Sequence, residues 1–105
     1  MNETFNPDHY FDLIKRINDK YQKSEKARIY TPAEKLASSL EKVMKGGKLE
    51  NLEKNELLYD VNRTGDEDLQ ELATGLLGVA EKANESARIS LSYLVTNIRR
   101  VLTNA

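Results

Sequence analysis

The sequence contains no cysteine, no tryptophan and only two prolines among its 105 residues. Without cysteine the chain has no disulfide, no thiolate nucleophile and no Cys-based metal site, which agrees with a reducing compartment. It also lacks an apolar run of about 18 residues, the length that spans a bilayer, and the apolar core of a signal peptide. We therefore expect a cytoplasmic protein that makes no use of a membrane.

The sequence also lacks a large excess of charge of either sign and recognisable catalytic motifs. Sixteen Lys and Arg against 17 Asp and Glu leave a net charge of −1, so no global field attracts nucleic acid or acidic lipid. The patterns GxSxG, HExxH, GxxxxGK[ST] and GxGxxG do not occur. The single histidine, His9, has no second His or Cys to complete a zinc site, and we interpret it as a surface residue. These absences predict a non-enzyme without a cofactor.

Apolar residues recur at helical spacing, and they predict an all-α bundle of about four helices that forms a single domain over 1–105. The first helix is expected over about 7–22. Asn6 can cap it, and Pro7 suits a first helical position because the amide that proline lacks has no helical partner there.

The second and third helices are predicted from a capping pattern and a leucine-rich segment. Thr31, Pro32 and Glu34 have the spacing of a capping box. In a capping box the Thr side chain accepts a hydrogen bond from the Glu backbone amide, and the Glu side chain accepts one from the Thr backbone amide. This pattern predicts a second helix over about 32–45. Leucines at helical spacing predict a shorter third helix over about 50–60.

The fourth predicted helix is unusually long. Apolar and small residues stay in helical phase over 66–103, and about 38 residues at 1.5 Å each would extend roughly 57 Å. Because a domain of this size cannot cover such a helix easily, we expect two copies to pair their long helices as a homodimer, although helices one and two placed end to end could also cover it. The alternative is a break near Asn84, which would fold the segment into a hairpin.

The end of this helix is the surface that we expect to bind a protein partner. It combines an apolar stripe with two arginines that can grip a carboxylate. The residues are Leu91, Leu94, Ile98, Leu102, Arg99 and Arg100. Amphipathic helices without a catalytic constellation favour a small regulatory protein, an adaptor or an inhibitor, that binds another protein and itself.

A basic segment supports an alternative function, nucleic-acid binding. Residues 15–28 carry six cations against two acids, a local excess of +4 that can contact phosphates. The six residues are Lys15, Arg16, Lys20, Lys23, Lys26 and Arg28. A charged face opposite a core face is also ordinary for a helix, and no nucleic-acid module signature is present.

A second alternative is a calcium-responsive module, because residues 60–71 match the spacing of an EF-hand loop. The candidate ligands are Asp60, Asn62, Thr64, Asp66, Asp68 and Glu71, with Gly65 at the sixth position. Glu67 stands where an EF-hand normally has an apolar residue, and no sister loop occurs. The competing interpretation is that Thr64 caps the fourth helix and the acids favour its dipole.

Charge and glycine placement give two further expectations. Residues 50–71 carry eight acids and two bases, so this segment is 6 units negative and complements the basic segment. We expect the two segments to meet within one fold. Gly75 and Gly78 lie nearly on one side of the fourth helix, where we expect them to serve close packing.

Overall fold

The computed structural model describes residues 5–103, and within this range all regular structure is helical. The five α-helices are α1 (Pro7–Lys20), α2 (Ala27–Met44), α3 (Asn51–Arg63), α4 (Glu67–Glu81) and α5 (Glu85–Ile98). A 3₁₀ turn, Lys23–Glu25, precedes α2, and a π-helical turn, Arg99–Thr103, follows α5. The predicted all-α helical bundle is confirmed.

The first helix begins where its cap predicts. The side-chain oxygen of Asn6 accepts a hydrogen bond from the amide of Asp8 at 3.2 Å, and Pro7 occupies the first helical position. The helix ends at Lys20, two residues before the predicted end. The cap and the proline are both local signals, and they place this start as predicted.

The second helix begins at Ala27, five residues before the predicted start, so the capping box at Thr31 is not used. Pro32 lies inside α2, where its missing amide costs one helical hydrogen bond. The additional turn carries Ile29 into the core at 0% exposure, which contributes about 1.5–3 kcal/mol and offsets that cost. The burial of Ile29 therefore determines where α2 begins, and the capping pattern at Thr31 does not.

The predicted continuous helix over 66–103 is wrong, and the alternative break near Asn84 is confirmed. α4 ends at Glu81, and Asn84 caps α5 by accepting a hydrogen bond from the amide of Ala87 at 2.8 Å. The described residues extend only 39 Å along their longest axis, less than a continuous helix would need. Because the chain turns back here, α5 packs its apolar face against the same bundle.

The five helices share one core. α2 lies at its centre and contacts α3, α4 and α5, whereas α1 packs against α4, α5 and the π-helical turn. α3 packs mainly against α2 and α4 and contributes two buried residues, Leu57 and Val61. Within residues 5–103, no helix has the length and apolar character needed to cross a membrane.

We expect Asn84→Ala to lower the free energy of unfolding by about 1 kcal/mol, because the first turn of α5 loses its side-chain cap. Urea unfolding followed by circular dichroism measures the change. Asn55→Ala makes the same substitution at an exposed position inside α3, and it should leave stability unchanged or slightly higher, since alanine favours helix. Equal losses in both variants would contradict the assignment of Asn84 as the cap.

Candidate functional site

The apolar residues predicted to bind a partner are buried in the core of the described fold. Each of them is at most 1% exposed: Leu91, Leu94, Ile98 and Leu102. The turn at Asn84 brings them back against α1 and α2, and helical periodicity alone does not distinguish a core stripe from a docking stripe. The opposite face of α5 is the one that is exposed, with Ile89 and Tyr93.

The two arginines of the predicted site have different environments. Arg99 is partly buried and tied to α2: its Nη1 lies 3.1 Å from the carboxylate of Glu41, and its Nη2 lies 3.5 Å from that of Glu34. These contacts hold the end of α5 against α2. Arg100 is exposed and makes no ion pair with a residue of the described range, so it is available at the surface.

The six cations predicted to bind nucleic acid are divided between internal pairs and open surface. Arg16 donates to Asp68 at 2.8 Å, and Lys20 contacts both Asp66 at 2.8 Å and Asp68 at 2.9 Å. Lys26 donates to the backbone carbonyl of Val101 at 3.2 Å. The remaining three, which are exposed and form no ion pair within residues 5–103, are Lys15, Lys23 and Arg28. The basic and acidic segments therefore meet within the fold.

Asp66 is at the centre of this internal pairing. It is the one charged residue of the described range that is buried, at 5% exposure, and its carboxylate accepts hydrogen bonds from Lys20, from the Tyr21 hydroxyl at 2.6 Å and from the Leu69 amide at 2.9 Å. Burial is the largest single influence on its pKa and raises it, but the three hydrogen bonds and the positive charge of Lys20 together lower the pKa below the ordinary value. Asp66, and not Thr64, is the N-cap of α4.

The structure does not bring the predicted calcium ligands together. Asp60 and Asn62 lie in the last turns of α3, and Asp60 forms an ion pair with Lys35. Thr64 donates its hydroxyl to the carbonyl of Val61 at 2.6 Å, and Glu71 accepts from His9 at 2.6 Å. Among residues 5–103, no group of three or more His, Asp or Glu side chains is placed to hold a metal ion.

A long groove runs between the start of α1, the second half of α4 and the start of α5. We call it the α1/α5 groove; its volume is about 970 Å³, and small residues form much of its lining. The small lining residues are Gly75, Gly78, Ala83, Ser86, Ala87 and Ser90. A second depression of about 420 Å³ continues it along α5 and shares Pro7 and Ser90 with it. The two depressions therefore adjoin each other at Pro7 and Ser90.

The rim of these two depressions carries exposed apolar side chains. Phe11, Tyr93 and Arg100 line its continuation along α5. Ile89 and Tyr93 are 57% and 66% exposed, and their spacing of four residues places them side by side as a ridge on α5. Tyr93 lines the continuation of the groove and Ile89 does not, so the ridge adjoins this surface through Tyr93.

The two glycines of α4 have separate roles, although they look alike in the sequence. A Cβ atom at Gly75 would lie 2.6 Å from the Tyr10 hydroxyl, so the glycine makes room for that ring. The same addition at Gly78 would meet nothing within 4 Å. Gly75 therefore serves packing within the chain, as predicted, whereas Gly78 leaves an open position in the groove.

Comparison of the chain with protein-family models, curated proteins and solved structures gives no match. Its function is therefore inferred from the groove, the ridge and the charged surfaces of the chain itself.

We expect Asp66→Asn to destabilise the protein by about 1–3 kcal/mol at pH 7, because Lys20 and Tyr21 lose a buried charged acceptor. Since the folded-state pKa of Asp66 is lowered, its contribution is complete above the unfolded-state pKa of about 3.9 and is lost as the pH falls through the folded-state pKa. The difference in stability between the variant and the parent should therefore begin to narrow below about pH 4 and continue to narrow as the pH falls toward the folded-state pKa.

Urea unfolding at several pH values between 7 and 3 tests this narrowing. Asp19→Asn removes the same charge from an exposed position of α1 that forms no ion pair within residues 5–103, and it should change stability little at pH 7. A constant gap between Asp66→Asn and the parent at every pH would contradict the electrostatic account.

The two glycines should respond in opposite directions to alanine. Gly75→Ala forces the added methyl group against the Tyr10 ring and should destabilise by about 1–3 kcal/mol, the usual cost of overpacking. Gly78→Ala should stabilise by about 1 kcal/mol, because alanine favours helix and has free space. Thermal or urea unfolding distinguishes them, and the same sign for both variants would contradict the two roles.

Proposed function

We propose that this chain is a small non-enzymatic protein that binds another protein through the α1/α5 groove and its rim, and that it also self-associates there as a homodimer. A chain of this kind acts on its partner as an adaptor or an inhibitor. The observation that carries the proposal is Gly78, an exposed glycine inside α4 with open space where a side chain would stand.

Gly78 lowers the stability of α4, and no contact within the described residues offsets this loss. In a helix interior, glycine is about 1 kcal/mol less favourable than alanine. At Gly75 the packing of Tyr10 accounts for that cost, but at Gly78 no neighbour lies within 4 Å of an added Cβ atom. A partner that approaches the backbone of α4 closely would account for it, because only glycine leaves that space.

The shape of the groove suits an apolar helix as its occupant. Its small side chains allow the backbone of an incoming helix to approach, and the aromatic rings of Phe5 and Phe11 stand along the α1 side. Recognition of an amphipathic helix in a groove uses apolar anchors three or four residues apart. Aromatic residues with a nearby arginine, here Tyr93 and Arg100, are the types enriched at protein interfaces.

A second copy of the chain supplies such a helix. In a two-fold dimer the same patch is present on both subunits, so the patch must be complementary to itself. Here a concave groove lies beside a convex ridge of Ile89 and Tyr93 on α5. Rotation by 180° can place the ridge of each copy in the groove of the other, which would bury both apolar surfaces together.

Light scattering across a range of concentrations tests this proposal against the chain mass of 12.0 kDa. We expect the mass to rise toward about twice the chain mass, as a two-fold pair requires. Ile89→Glu should weaken the association at least about tenfold, since it places a charge in an apolar contact.

Leu52→Glu provides the matched control. Leu52 is 71% exposed on α3, so the same chemical change is made at an exposed apolar residue away from the groove, and the mass should be unaffected. Parent protein at 12.0 kDa at every concentration would contradict self-association. Equal weakening by both variants would contradict the assignment of the interface to α5.

A further inference from the structure

A second cleft lies between the start of α2 and the end of α3, and it differs from the α1/α5 groove in its charge. Its volume is about 420 Å³, and it shares no lining residue with the groove. Three cations line it, Arg28, Lys35 and Arg63, together with one acid, Asp60. We call it the basic cleft.

Two of the three cations are uncompensated. Lys35 and Asp60 pair with each other, so their charges cancel. Arg28 and Arg63 form no ion pair with any carboxylate of the described range. The basic cleft therefore presents two guanidinium groups, one from α2 and one from α3, with a net charge of +2 from the side chains that line it.

One of the two arginines is placed by an aromatic neighbour. The guanidinium of Arg63 lies over the Tyr59 ring, 5.9 Å from its centroid, a cation–π arrangement that restricts its side chain. Arg28 is exposed and lines the cleft beside Tyr21. A positioned arginine loses less freedom when it binds an anion.

The remaining walls add hydroxyl groups and an aromatic ring. Thr31 provides an exposed hydroxyl, and the half-buried ring of Tyr21 provides apolar contact. A volume of about 420 Å³ falls in the range of about 300–1,000 Å³ that small-molecule sites occupy, and it exceeds what one bare anion needs. The ligand that fits these walls carries an anionic group and an apolar or ring-shaped group.

We propose that the basic cleft binds a small phosphate monoester, with Arg28 and Arg63 contacting the phosphate from α2 and α3. A phosphate monoester carries close to two negative charges at pH 7, which matches two guanidinium groups. Each guanidinium can donate two parallel hydrogen bonds to a phosphate, whereas a carboxylate or chloride would satisfy only part of this donor set. Thr31 supplies a further donor, and the ring of Tyr21 contacts the organic part.

Titration calorimetry with two probes, inorganic phosphate and a nucleoside 5′-monophosphate, tests the proposal at constant ionic strength. We expect saturable binding of the monophosphate, weakened at least about tenfold by Arg28→Gln and by Arg63→Gln, since each removes charge-assisted hydrogen bonds. Arg63→Lys keeps the charge but loses the planar fork, and it should weaken binding by a smaller factor. Melting temperatures verify that each variant is folded.

Lys23→Gln is the control, because Lys23 is exposed, forms no ion pair within residues 5–103 and does not line the cleft. It should leave the affinity unchanged. Equal weakening by Lys23→Gln and Arg28→Gln would overturn the proposal in favour of general electrostatic attraction. Absence of saturable binding for both probes up to about 10 mM would also overturn it.

Two further outcomes identify the source of the phosphate. Tighter binding of the nucleoside monophosphate than of inorganic phosphate supports a small organic phosphate as the ligand. Binding of a single-stranded oligonucleotide without binding of the monophosphate, with a steep dependence on salt, would overturn the proposal and indicate a nucleic-acid surface. Because Arg28 and Arg63 are outside the α1/α5 groove, these results do not depend on whether the chain self-associates.

Discussion

The return of α5 onto the bundle is the constraint from which the other features follow. The C-terminal part of the chain carries an apolar stripe that has to be covered, and the turn before Asn84 allows the same chain to cover it. The covered face packs on α1 and α2, so the opposite face of α5 is directed outward with Ile89 and Tyr93. The groove exists because α5 folds back beside α4 and does not extend from it.

Electrostatic pairing reinforces this packing at the opposite end of α1. The basic and acidic segments meet between the last turn of α1 and the first turn of α4. There Arg16 forms an ion pair with Asp68, and Lys20 forms ion pairs with both Asp66 and Asp68. A buried carboxylate is stabilising only when hydrogen bonds compensate for its lost hydration, and Asp66 accepts three. The same acids complement the positive end of the α4 dipole. Cations used here are not available for a ligand, which leaves Arg28 and Arg63 as the exposed arginines of the basic cleft.

Sequence patterns predicted the structure correctly where it depends on neighbouring residues. They predicted it wrongly where contacts between residues distant in the sequence determine it. Asn6 and Pro7 start α1 as predicted, because capping needs only neighbouring residues. The pattern at Thr31 was equally good in local terms, but the burial of Ile29 moved the start of α2. The break at Asn84 was harder to predict than a continuous helix, because the apolar residues keep their helical spacing across it.

The candidate sites show the same division. Leu91 and Leu94 have a periodicity that describes a core stripe and a docking stripe equally well. Gly75 and Gly78 are indistinguishable by spacing, and only the position of Tyr10 separates them. The basic cleft joins residues from α2 and α3 that are 35 positions apart in the case of Arg28 and Arg63, so no local pattern indicates it.

The peripheral position of α3 has a consequence for any ligand of the basic cleft. This helix contributes two buried residues, fewer than any other α-helix of the described range, so the fewest core side chains hold it in place. Segments held in this way open locally at a lower free-energy cost than the rest of a domain. An anion that contacts Arg28 and Arg63 binds only while α3 is docked on α2, and it therefore shifts the equilibrium toward the docked state. Ligand affinity and the docking of α3 are thermodynamically linked. A ligand in the basic cleft would therefore reduce the local opening of this one helix.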